Sequence, residues 1–143
     1  MTPRNDLANM PGHLVRRLHQ RSTAIFQEWL AATPVEMTSV QFAALDTLSR
    51  NPGIDQARLA ALISYDRATI GEVVKRLIKK GFVERQVSET DRRARSLRLT
   101  KAGSEALVQV APLVAELQAQ ILERLTEKER DQFLKLAQKA LDI

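Results

Sequence analysis

Residues 66–103 read DRATIGEVVKRLIKKGFVERQVSETDRRARSLRLTKAG, and the spacing of their apolar residues changes midway. Before Gly81 the apolar residues recur at steps of three and four, which predicts a helix capped by Asp66 and ended at Gly81. In residues 83–87 and 96–99 they alternate with polar residues, which predicts two strands. The stretch therefore predicts a helix followed directly by a β-hairpin with a long, charged tip.

The charge of the chain is concentrated in this region. Residues 58–98 carry eleven Lys and Arg against five Asp and Glu, whereas the rest of the chain carries eleven against twelve. The net charge of +5 thus comes from one contiguous segment. This distribution is typical of a surface that faces a polyanion, and an acidic membrane is the weaker alternative.

Helical patterns flank this stretch on both sides. Upstream, we expect a helix over 13–30, a second one opened by a capping box of Thr38 and Gln41, and a short third one capped by Asp55. Downstream, we expect one long helix from Lys101 to about Arg124, interrupted at Pro112, and a final one that ends near Leu141. The predicted fold class is mostly α with a small β-hairpin.

Three helices followed by a hairpin with a cationic tip are the layout of a winged helix-turn-helix. In that layout the N-terminal residues of the third helix meet base edges in the major groove, and flanking cations reach phosphates. The hairpin tip can enter the adjacent minor groove, where arginine gains from the negative potential. The candidate DNA-binding residues are Ser64, Arg67, Ala68, Thr69, Lys75, Arg76, Arg92, Arg93 and Arg95.

Asp91 stands two residues before Arg93 and could hold its guanidinium with a charge-assisted hydrogen bond. We therefore expect Asp91 to orient the tip of the hairpin. The alternative is that the charged turn only keeps the chain soluble and that Asp91 pairs with an arbitrary neighbour.

The motif Asp91-x-Arg93 followed by LRLTKAG (97–103), after the helix and strand of 66–88, closely resembles the MarR family of transcriptional regulators. The resemblance covers essentially the whole chain. It implies one protomer over 1–143, with a winged helix-turn-helix at 38–100 and dimerisation helices at 1–34 and 101–143. It also implies a homodimer in which Asp91 and Arg93 form a pair at the wing tip.

The segments RRLHQRSTAIF (16–26) and TSVQFAALDTL (38–48) resemble the branch of that family that controls the degradation of aromatic acids, including nicotinate. This resemblance implies a small aromatic carboxylate, such as a hydroxylated nicotinate or benzoate, as the effector. The predicted function is a dimeric repressor that such an acid releases from a pseudo-palindromic DNA operator.

The two C-terminal helices carry more apolar residues than packing on one domain requires. Leu107, Val110, Val114, Leu117 and Ile121 form a stripe at three- and four-residue spacing. We expect this stripe and the last helix to meet a second copy in an isologous interface, which would set two recognition helices about 34 Å apart. The alternative is that both helices fold back on the core of a monomer.

His19 falls on the apolar face of the first helix. It is either a core residue or a ligand-facing imidazole at the place where the resemblance puts the effector pocket. In the second interpretation, Arg17 and Ser22 would help His19 to fix a carboxylate. Metal binding is disfavoured, because His13 and His19 point about 120° apart on an ideal helix and no thiols cluster with them.

Other functions find less support in the sequence. The five glycines are scattered, without a phosphate-cradling loop or a nucleophile elbow, so we expect neither an enzyme nor a cofactor. The absence of cysteine excludes thiol chemistry, and the N-terminal residues lack the apolar core of a signal peptide, so we expect a cytoplasmic protein without membrane contact. A basic protein–protein adaptor without specific DNA binding is the alternative function.

Overall fold

The computed structural model describes residues 6–87 and 95–143. These residues form six α-helices and a two-stranded antiparallel hairpin. A 3-10 turn over Leu7–Asn9 comes first, and the elements are α1 (Pro11–Ala31), α2 (Ser39–Arg50), α3 (Gln56–Leu62), α4 (Arg67–Lys79), β1 (Val83–Val87), β2 (Arg95–Leu99), α5 (Lys101–Ile121) and α6 (Glu127–Leu141). The expected fold class, mostly α with a small hairpin, is confirmed.

Helices α2, α3 and α4 begin at the capping residues that the sequence predicts, and α6 begins at a capping residue as well. Thr38 and Gln41 form a reciprocal capping box at α2, and Thr126 and Glu129 form one at α6. The Asp55 carboxylate accepts a hydrogen bond from the backbone N–H of Arg58 at 2.7 Å. Each cap satisfies backbone N–H groups that an isolated first turn would leave without partners.

Two helix boundaries differ from expectation. Helix α1 begins two residues earlier, at Pro11, because proline at the first helical position sacrifices no helical hydrogen bond. Helix α5 ends at Ile121 rather than near Arg124, because Leu122 leaves the helical conformation. Its carbonyl then accepts from the backbone N–H of Leu125 in a turn that leads to Thr126.

The core lies where α1, α2, α4 and α5 meet the base of the hairpin. Leu45 and Leu48 of α2, Ile70 and Leu77 of α4, and Leu97 of β2 are almost completely buried there. Phe26 and Phe42 add a tilted ring pair with centroids 6.5 Å apart. The apolar stripe of α4 thus faces inward, which directs the opposite, polar side of this helix outward.

The hairpin is anchored at its base to a loop that precedes α3. Val83 pairs with Leu99 and Val87 with Arg95, and both Val83 and Leu97 are buried. Leu97 also exchanges backbone hydrogen bonds with the loop, accepting from Gly53 at 3.0 Å and donating to Ile54 at 2.9 Å. This pairing, which sequence periodicity did not indicate, holds the hairpin beside α3 and α4.

The last two helices differ in how far they are buried. Helix α5 packs along α1, where the Trp29 Nε1–H donates to Gln120 Oε1 at 2.6 Å and Arg21 pairs with Glu123 at 3.2 Å. Helix α6 has no buried residue, and several of its apolar side chains lie exposed. Within the described residues, no helix combines the length and the apolar character needed to cross a bilayer.

Candidate nucleic-acid interface

The N-terminus of α4 is fixed by Asp66. Its carboxylate accepts the backbone N–H of Thr69 at 2.8 Å and the Thr69 hydroxyl at 2.7 Å. The hydrogen bond from the hydroxyl, followed by that from the backbone, holds the pKa of Asp66 below its ordinary value. The cap is therefore ionised at neutral pH, and the first turn of α4 is held rigid for contact with a partner.

Seven of the nine candidate DNA-binding residues lie in the described part of the chain, and all seven are exposed. They are Ser64 in the turn before α4, Arg67, Ala68, Thr69, Lys75 and Arg76 on α4, and Arg95 on β2. Arg92, Arg93 and the orienting residue Asp91 lie outside the described residues. The predicted DNA contacts of all these residues remain predictions.

Two of the exposed residues have local constraints. Ser64 has a φ of 57°, a left-handed conformation that non-glycine residues rarely adopt. It follows Ile63, the C-cap of α3, at the position where a left-handed conformation commonly ends a helix and turns the chain away. The Thr69 hydroxyl donates a hydrogen bond to Asp66, so towards DNA this hydroxyl can act only as a hydrogen-bond acceptor.

A groove of about 830 Å³ separates the outer side of α4 from the hairpin. Lys75 of α4 and Arg85 and Arg95 of the hairpin line it, together with Glu72. The Arg85 guanidinium donates to Gln56 Oε1 of α3 at 3.2 Å, which ties β1 to the helix-turn-helix. The groove thus has cations on both sides, with the carboxylates of Asp55 and Glu72 between them, and such cations can contact a phosphodiester backbone.

The far end of α4 is tied to the start of α2. The Lys80 ammonium donates to the Glu36 carbonyl at 2.7 Å and to Gln41 Oε1 at 3.0 Å. Gln41 is the buried polar residue of the described core, and its amide oxygen also caps α2. No local pattern in the sequence predicts this link, because Lys80 and Gln41 stand 39 positions apart.

His19 and Ser22 lie together in a second groove, of about 690 Å³, formed by α1, α5 and α6. His19 is exposed within the protomer, so it is not part of the protomer's core. Arg17 does not share this groove and lines a separate pocket with Leu14 and Arg21. The physical reason is helical geometry, because a step of two residues turns a side chain by about 200° around the helix.

The basic residue that shares this groove with His19 is Arg130, and not Arg17 as the sequence had suggested. It lines the groove with His19, and its Nε atom is buried without a hydrogen-bond partner among the described residues. Arg130 stands three and four residues before Phe133 and Leu134, so helical periodicity on α6 would have found it. Among the residues that the structure describes, no Asp or Glu lines this groove. Within the described residues, no cluster of His, Asp and Glu could hold a metal ion.

Comparison with known proteins agrees with this geometry. The MarR family model matches residues 37–94, from the end of the α1–α2 connection to the hairpin. The chain is 33% identical to the HTH-type transcriptional repressor NicR of Pseudomonas putida, over 96% of this chain and 85% of that protein.

Solved structures show the same architecture over almost the full length. The PcaV transcriptional regulator of Streptomyces coelicolor, in complex with its natural ligand, is 34% identical with a TM-score of 0.85, covering 96% of this chain and 95% of PcaV. Bordetella bronchiseptica BpsR, whose DNA binding is regulated by 6-hydroxynicotinic acid, is 25% identical with a TM-score of 0.87, covering 96% and 97% of the two chains.

Proposed function

Because this chain belongs to the MarR family of transcriptional regulators, we propose that it is a dimeric repressor that binds a pseudo-palindromic operator and leaves it when a small aromatic carboxylate binds. The family consists of regulators and not of enzymes, and no relative reported above supports the adaptor alternative. The observation that carries the proposal is the outward, cationic side of α4, flanked by a basic hairpin and fixed by caps and backbone pairing.

DNA binding is tested by fluorescence anisotropy of labelled promoter duplexes over a range of salt concentrations. Arg93→Ala should weaken binding and lower the salt dependence, by a slope of about 0.9 for each lost phosphate contact. Arg124→Ala is the matched control, because it removes the same charge from the turn beyond α5. If Arg93→Ala and Arg124→Ala bind like the wild type at all salt concentrations, the hairpin tip does not contact DNA.

Exposed apolar residues of α1, α5 and α6 support the dimer. Val15, Val108, Leu136 and Leu141 are each more than half exposed in the protomer. Exposed apolar side chains of this size on three neighbouring helices are unfavourable in water and suit burial against a second copy of the chain. In this arrangement the two α4 helices would meet successive major grooves on one face of the duplex.

The groove that contains His19, Ser22 and Arg130 suits an aromatic acid. Its walls are mainly apolar, which favours a ring, and the Arg130 guanidinium and the Ser22 hydroxyl can hold a carboxylate. Binding of the acid would release DNA only to the extent that it favours a protomer arrangement incompatible with the operator. BpsR, a protein of the same fold, responds to a ligand of this chemistry.

Thermal-shift measurements with hydroxylated nicotinates and benzoates test the effector. An acid that binds the folded dimer should raise its Tm by mass action, and the same acid should reduce anisotropy on promoter DNA. His19→Ala and Arg130→Gln should blunt this release while DNA affinity without the acid stays unchanged. Arg17→Gln is the control and should leave the release intact. If Arg17→Gln alone abolishes the response, the acid binds elsewhere on α1.

A further inference from the structure

Glu72 is the one acidic residue within α4, and it points outward. On the helix it lies opposite the buried stripe of Ile70, Val74 and Leu77, in line with Ala68 and Lys79. This line is the side of α4 that would meet DNA under the proposed function. A carboxylate there faces a polyanion and repels it, unless the carboxylate accepts hydrogen bonds from the DNA itself.

No cation in the described part of the chain forms an ion pair with this carboxylate. Lys75 and Arg76 stand three and four residues further along α4, the usual distance for a helical ion pair, but neither approaches Glu72 within 4 Å. Asp55 lines the same groove but accepts the backbone N–H of Arg58 as a helix cap, as Asp66 does for Thr69. Among these carboxylates, Glu72 alone neither caps a helix nor forms a hydrogen bond or ion pair with another described residue.

Of the four bases, cytosine has the major-groove edge that best suits a carboxylate. In the major groove cytosine presents an N4 amino donor without an adjacent acceptor, whereas the amino group of adenine lies beside the N7 acceptor. Guanine presents two acceptors, and thymine presents an acceptor and a methyl group. We propose that Glu72 is a specificity-determining residue that accepts a hydrogen bond from the N4 amino group of a cytosine in each half of the operator.

This inference rests on the proposed function, and its test needs no known operator. Wild type, Glu72→Gln, Glu72→Ala and Glu105→Gln are each used to select binding sequences from duplexes with 20 randomised base pairs. Glu105 is exposed on α5, so Glu105→Gln changes the net charge equally without touching α4. All four proteins should show the same Tm to within a degree or two, since both glutamates are exposed.

The wild type should select one cytosine per half-site, with a preference of about tenfold over the other bases. Glu72→Gln should shift this position towards adenine, because a glutamine amide pairs with the N6 and N7 atoms of adenine. Glu72→Ala should lose the preference, and Glu105→Gln should keep the wild-type motif.

Two results overturn the inference in distinguishable ways. If Glu72→Gln binds more tightly but selects the wild-type motif, Glu72 only repels DNA and reads no base, and the DNA-binding function stands. If the wild type binds no duplex at low salt, the proposed function fails, and the role of Glu72 fails with it.

Discussion

At the residue scale, single side chains decide how α4 is presented. Asp66 holds the first turn through two hydrogen bonds from Thr69, and Ser64 accepts a left-handed backbone so that α3 can turn sharply into α4. At the base of the hairpin, Gly103 of α5 lies so close to Phe82 that a Cβ on Gly103 would overlap the carbonyl oxygen of Phe82. Each of these residues can be tested by one substitution.

Gly103→Ala should destabilise the fold by about 3 kcal/mol, because the clash is with backbone and cannot be relieved by a rotamer change. Gly12→Ala is the control, since a Cβ at Gly12 meets nothing within 4 Å. It should be neutral or slightly stabilising, as alanine is the better helix former. Urea denaturation measures both, and equal stabilities would contradict the close approach.

Ser64→Gly should stabilise the fold by about 0.5–1 kcal/mol, because glycine adopts the left-handed conformation without strain. The gain is only partial, since glycine also makes the unfolded chain more flexible. Both Ser64→Gly and Ser64→Ala should bind DNA more weakly if the hydroxyl contacts a phosphate, whereas Ser64→Ala should gain no stability. A loss of stability in Ser64→Gly would show that the turn is not strained.

Asp66 should make part of the stability dependent on acid pH. In the folded chain the pKa of Asp66 lies below its ordinary value, so the charged carboxylate stabilises the fold. This stabilisation is fully present above the ordinary pKa and is lost as the pH falls below about 4. Asp66→Asn keeps a good cap without a charge, so its Tm should fall less steeply between pH 5 and about 2. Parallel Tm profiles for the two proteins would contradict this role.

At the element scale, the hairpin is stable because its base belongs to the core. Leu97 is buried and exchanges backbone hydrogen bonds with Gly53 and Ile54, whereas Val87, near the tip, is exposed. The hairpin therefore projects from a fixed base, and its position beside α4 is set before any DNA binds.

Leu97→Ala should cost about 3 kcal/mol, because it leaves a cavity under the hairpin. It should also weaken DNA binding at temperatures where the fold persists, since the hairpin loses its anchor. Val87→Ala should change the stability by less than about 0.5 kcal/mol. Circular dichroism melts and anisotropy measure the two effects, and a neutral Leu97→Ala would refute the anchoring.

At the scale of the whole molecule, the excess positive charge and the most exposed apolar residues of the helices lie on different elements. Helix α4 and the hairpin carry the excess of cations over carboxylates, and Val15, Val108 and Leu136 are exposed on α1, α5 and α6. If these apolar residues are covered by a second copy, each dimer presents two cationic surfaces with a fixed separation. Affinity for a two-fold symmetric site would then depend on the integrity of the dimer.

Leu136→Glu should shift the dimer towards monomer, because it places a charge on the apolar side of α6. Operator affinity should fall with it, while each protomer stays folded. Lys135→Gln changes the net charge equally on the polar side of α6, where the residues three and four positions away are all polar, and should leave the dimer intact. Sedimentation velocity measures the assembly, and an unchanged Leu136→Glu dimer would place the interface elsewhere.

Features that depend on neighbours in the chain were determined by the sequence itself. Thr38, Asp55 and Asp66 each cap a backbone group three residues away, so their helices begin where the sequence predicts. The two strands and the outward polar side of α4 follow from local periodicity in the same way.

Only the tertiary structure decided which distant residues meet. It separates Arg17 from His19 and brings Arg130 to the same groove, it pairs the loop at Gly53 with Leu97, and it ties Lys80 to Gln41. These contacts depend on how the helices pack against one another. Packing direction is a property of whole apolar faces, so no short stretch of the sequence contains it.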